Sequence, residues 1–130
     1  MTKDEIVQYW VKSSNQDYPV MESLVSNGHY GWSLFVGHLV LEKLLKACFV
    51  KNVDLNSPRI HNLLKIAKDA QLELTKEQML FLDEVTMYNL RTRYPDYKDR
   101  FFQMATKAYT EDSINKIKEF RQWLLQQINR

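Results

Sequence analysis

The run from Tyr30 to Asn52 constrains this chain more than any other segment, because its apolar residues point in nearly every direction around a helix. Leu34, Phe35, Val36, Leu39, Val40, Leu41, Leu44, Leu45 and Cys48 leave no broad polar face, and a helix of that kind sits at the centre of its fold. The exceptions, His38, Glu42 and Lys46, recur every four residues and so line one narrow polar strip, flanked by Lys43. No window approaches the ~18 apolar residues of a membrane span, so this is a core helix and no membrane association is expected. A chain of 130 residues builds one such core and is too short for two, which predicts a single domain over residues 1–130.

The helices that cover it are readable in turn. No segment keeps a period of two, and only three Gly and three Pro are available for turns, which predicts an all-α fold. A first helix runs from about Thr2 to Asn27, with Thr2 and Glu5 spaced as a capping box and Gly28 as its stop. Pro19 lies inside it and removes a backbone donor, predicting a kink or break near Gln16 to Tyr18. After a loop over Val53 to Ile60, a short third helix is expected from His61 to about Gln71. Thr75 with Gln78 opens a fourth, expected to end near Leu90 or Thr92, because Pro95 disfavours the α region at Tyr94 and the helix has finished by then. Ile114, Ile117, Phe120, Leu124 and Ile128 mark a fifth, over about Thr110 to Gln127. Between the last two, Phe101, Phe102 and Met104 indicate a linker that packs or is partly helical.

Charge narrows function little. Lys and Arg number 18 against 16 Asp and Glu, a net +2 that divides evenly at Lys65, so no basic tail marks a nucleic-acid binder. The single Cys48 excludes an internal disulfide, and the acidic start Met1-Thr2-Lys3-Asp4-Glu5 is unlike a secretory signal; a cytoplasmic location is the expectation. His29 and His38 are nine apart and His61 is isolated, so no pair has zinc-site spacing, and no metal or other cofactor is expected. Nucleophile elbows and phosphate-binding Gly loops are absent too, and no catalytic residue is assigned. His61 is read as a structural residue at the start of the third helix.

Two features remain. Glu42 and Lys46 are either an ordinary i,i+4 pair on an exposed edge or, given the apolar helix around them, buried charges that require partners in another helix or subunit. The candidate partner is Asn89-Leu90-Arg91-Thr92-Arg93-Tyr94-Pro95-Asp96-Tyr97. Arginine forks suit phosphate and tyrosine rings stack on bases, so this segment is a candidate nucleotide or RNA site. Alternatively it is a helix end whose arginines offset the dipole, with Asp96 pairing one of them.

Together, Gly37-His38-Leu-Val-Leu-Glu42-Lys43-Leu-Leu-Lys46-Ala47, His61-Asn-Leu-Leu64 and Thr92-Arg93-Tyr94-Pro95-Asp96 resemble the HEPN family over about residues 3 to 125. The resemblance implies an up-and-down bundle of four main helices plus a short one, usually a homodimer, often encoded beside a minimal nucleotidyltransferase in a toxin–antitoxin-like pair. Many members are metal-independent ribonucleases whose signature is Arg, four to six residues, then His. Here the positions after Arg91 and Arg93 hold no histidine, and none follows His61. The expected function is therefore a non-catalytic cleft that binds a nucleotide or RNA phosphate through Arg91, Arg93, Tyr94, Asp96, Glu42 and Lys46, with His38, Tyr97 and Lys98 as secondary candidates. The alternatives are a toxin-type endoribonuclease using Arg93 with Lys98 or His38 as base, and a binding module for the nucleotidyltransferase.

Overall fold

A computed structural model describes residues 1–130, all but the side chain of Pro95. Six helices occupy it: α1 (Lys3–Ser26), α2 (Tyr30–Asn52), α3 (Leu63–Asp69), α4 (Lys76–Arg93), α5 (Pro95–Met104) and α6 (Lys107–Ile128), with no strand among the described residues. The expected spans hold closely, and the capping boxes Thr2/Glu5 and Thr75/Gln78 both form. Gly28 ends α1 with φ +82°, the left-handed backbone that glycine adopts at least cost.

As its composition requires, α2 is central and packs on all five other helices. Trp10 meets Lys46, Ser14 donates to the Val40 carbonyl at 2.8 Å and Met21 reaches Gly37, so α1 runs antiparallel to α2. Tyr88 meets Ser113 and Phe81 meets Phe120, which sets α4 antiparallel to α6. Helices α1, α2, α4 and α6 thus form the up-and-down bundle, with Leu34, Leu41, Leu44, Leu45, Leu82, Ile117 and Leu124 fully buried between them. Cys48 lies in the same core, where burial pushes its thiol up to about 12.

Three expectations need correction. α1 continues as one helix from Lys3 to Ser26 across Pro19, so the break expected near Gln16 to Tyr18 does not occur. Contacts before and after the proline hold it: Ser14 on α2, Asp17 paired with Lys43 at 2.6 Å, and Arg121 of α6 donating to Asn15 and lying over the Tyr18 ring on one side, and Met21 against Gly37 and Glu22 paired with Lys118 of α6 on the other. Next, α3 starts at Leu63 and not at His61, because the Asn62 side chain caps it by accepting from the Lys65 amide. Finally, the linker after α4 is a full helix, α5, making six where five were read. Its sequence begins Tyr94-Pro95, a stop for α4 that also starts the next helix, since proline is well suited to a first turn. Phe102 of α5 lies where a side chain on Gly31 would stand: a Cβ there would sit 2.5 Å from the ring.

Pro19 is solvent-exposed and leaves one intrahelical bond unmade, so Pro19→Ala should stabilise the bundle by about 1–3 kcal/mol. Denaturant unfolding of the two proteins, read at equal m-value, measures it; unchanged or lower stability would show that α1 is shaped around the proline.

Candidate functional site

The polar strip of α2 lies inside the protein. His38 is 0%, Glu42 5% and Lys46 7% exposed, so the reading as an exposed edge pair is excluded. Each group finds partners within the chain. Glu42 Oε2 accepts from Lys46 Nζ at 3.4 Å, and Oε1 accepts from His61 Nδ1 at 2.6 Å. The Lys46 ammonium also sits 5.4 Å from the centre of the Trp10 ring. An ionised carboxylate out of water needs this saturation, because a buried charge with one partner missing is strongly destabilising.

His61 is thus neither isolated nor part of α3. It belongs to the α2–α3 loop, and its backbone carbonyl accepts from His38 Nε2 at 3.0 Å. A carbonyl can only accept, so His38 carries its proton on Nε2, leaving Nδ1 to accept a long 3.5 Å bond from the Asn89 amide of α4. The same logic fixes the other ring. A carboxylate accepts, so His61 donates from Nδ1 and presents its free Nε2 outward on a side chain that is 48% exposed. Glu42 and His61 therefore form a buried-carboxylate, exposed-imidazole dyad that spacing in the sequence did not reveal. Glu42 and His61 are 19 residues apart in the chain, and only the path of the loop closes that distance.

Arg93 follows Asn89 by one helical turn and adds positive potential at His38. It is exposed and makes no ion pair among the described residues. His38, Glu42, Lys46, His61, Asn89 and Arg93 thus form one constellation, buried at its root and open at Arg93 and His61. The rest of the expected cluster goes elsewhere. Arg91 and Tyr94 turn to the other side of α4, where they join Tyr97 and Arg100 of α5 around a mostly apolar groove of about 640 Å³. Lys98 lies over Trp32, 5.0 Å from its ring centre, and exposed Asp96 makes no ion pair among the described residues. The described residues hold no group of three His, Cys, Asp or Glu side chains arranged for a metal.

Burial holds the His38 imidazolium off, lowering its pKa from the usual 6.5; the Arg93 and His61 charges act in the same sense, opposed by the His61 carbonyl and Glu42. The unfolded chain then binds more protons than the folded one below pH 6.5, and stability falls as pH drops through that window. His38→Gln keeps a donor and an acceptor but does not titrate. Its unfolding free energy should vary less between pH 7 and pH 5 than that of the parent protein, as measured by urea denaturation at each pH.

Comparisons with known proteins agree on architecture. The model of the HEPN domain matches residues 7–128. The crystal structure of TT1696 from Thermus thermophilus superposes with a TM-score of 0.79 over 93% of this chain and 97% of that one, at 15% identity, a likeness of fold. No curated protein sequence matches the chain.

Proposed function

Since the chain belongs to the HEPN domain family, we propose that it binds a nucleotide or an RNA phosphate at the mouth of the polar constellation between α2, the α2–α3 loop and the end of α4. The observation that carries this reading is Arg93, an exposed guanidinium without an ion-pair partner among the described residues, set beside a fully partnered buried network. A guanidinium fork suits phosphate, since its planar donors match the phosphate oxygens two at a time. The His61 side chain, half-exposed, offers Nε2 as a second polar contact. Glu42 fixes the His61 ring and Lys46 neutralises Glu42, while Arg91 and Tyr94, on the other side of α4, take no part in this site. The reading includes a homodimer, a minimal nucleotidyltransferase as working partner, and the cytoplasm as the place where both ligands occur; it invokes no cofactor.

A thermal-shift series with nucleoside mono-, di- and triphosphates and short RNA tests it. A ligand at about 100 times its Kd adds about 2.7 kcal/mol to the native state, a shift of several degrees for a domain of this size. That shift should vanish in Arg93→Ala with helicity intact. A shift that survives the substitution removes Arg93 from the site, and no shift with any ligand favours a module that only mates with the nucleotidyltransferase.

The Glu42–His61 dyad favours a second reading, an endoribonuclease. The two bases expected from the sequence do not serve: His38 has both nitrogens engaged, and Lys98 is stacked on Trp32. His61 Nε2 has the tautomer of a general base and is open to solvent. It would take the 2′-hydroxyl proton as O2′ bonds to phosphorus and the bond to O5′ breaks, with solvent protonating O5′. On this reading, RNA in the thermal-shift samples is cut, and cutting is lost by about a hundredfold or more in both His61→Ala and Glu42→Gln. Intact RNA in the parent sample eliminates it.

A further inference from the structure

On the side of α4 away from the polar constellation, Met87, Leu90 and Tyr94 recur at i, i+3 and i+7, and the first two are 36% and 42% exposed. Across from them on α5, Tyr97, Phe101 and Met104 recur at i, i+4 and i+7. These two stripes wall the groove of about 640 Å³, with buried Phe101 in its floor and exposed tyrosines at its rim. Two apolar ridges at helical spacing leave between them a groove into which a third helix can set its own ridge of side chains. The lining runs from Tyr97 to Met104 on α5 and from Met87 to Tyr94 on α4, a length of about 10 Å and room for roughly two turns of a guest.

Charge selects the guest. Arg91 and Arg100 stand at the groove, one on each wall, and neither makes an ion pair among the described residues. A second copy packed groove to groove would bring two pairs of guanidiniums together, which like-charge repulsion opposes. Carboxylates flanking an apolar stripe would instead pair with both arginines. We infer that the α4–α5 groove is a docking site for an acidic amphipathic helix of another protein, presenting two or three apolar side chains at i, i+3 or i+4, and i+7, with flanking carboxylates for Arg91 and Arg100. This surface is separate from the proposed phosphate site, so either can fail without the other.

Panning tests it. A phage-displayed library of 12-residue helical peptides is selected on the immobilised full chain and counter-selected on Met87→Glu/Leu90→Glu, whose substituted side chains are already part-exposed and whose fold is checked by circular dichroism. Surviving clones should carry apolar residues at helical spacing and a net negative charge. As synthetic peptides they should bind Arg91→Glu/Arg100→Glu at least tenfold more weakly, and versions with carboxylates changed to lysines should prefer that variant. They should still bind Arg93→Ala. The inference is overturned by the absence of clones that survive counter-selection, by neutral or basic survivors, or by indifference to the arginine reversal. It is equally overturned if Met87→Glu/Leu90→Glu changes the oligomeric state, which assigns the groove to a second copy, or if short RNA displaces the peptides, which makes it a base-stacking surface.

Discussion

The Glu42 carboxylate is the group on which the arrangement of this molecule turns. It stands on the central helix, 5% exposed, and both oxygens are engaged, one by Lys46 and one by His61. Placing a charge there is costly, and well-packed apolar residues of similar volume often serve stability as well or better than a buried ion pair. The network is therefore poorly explained as a device for holding the bundle together, a task the apolar core already performs. What it does accomplish is geometric. It pins the α2–α3 loop to α2, fixes the tautomer of an exposed imidazole, and through His38 and Asn89 ties that loop to the last turns of α4, where Arg93 emerges.

Much of this was legible in the chain. The period of the apolar residues placed α2 to the residue and α1, α4 and α6 within a few, because long amphipathic or fully apolar segments leave little choice of element. The errors came where a local rule met a tertiary force. Pro19 removes one hydrogen bond, but Ser14, Asp17 and the Arg121 contacts before it and Met21 and Glu22 after it bind α1 to its neighbours, and the helix continues. Tyr94-Pro95 was legible as a stop; that it is also a start depends on Phe102 packing onto Gly31, a contact 71 residues apart in sequence that no local pattern encodes.

The candidate site divides the same way. The polar strip was visible because a three-residue exception in an apolar helix is conspicuous, and its need for partners followed from burial. Which partners was not visible, since His61 reaches Glu42 only through the path of a loop. The segment from Asn89 to Tyr97 looked like one cluster in sequence because its residues are adjacent. On a helix, adjacency separates: Arg91 and Arg93 differ by about 200° around the axis, and so face different surfaces. One of them completes a polar constellation and the other borders an apolar groove.

The placement of Cys48 has a practical consequence. As the sole thiol, buried about one turn from the C-terminal end of the central helix and with its ionisation pushed up to about 12, it is nearly unreactive while the bundle is closed. Loop motions and fraying of α5 leave it covered, whereas separation of α2 from its neighbours uncovers it. The chain thus carries its own clock for global opening: the rate at which an alkylating reagent labels it reports how often the whole core comes apart, undisturbed by the smaller fluctuations of the surfaces around it.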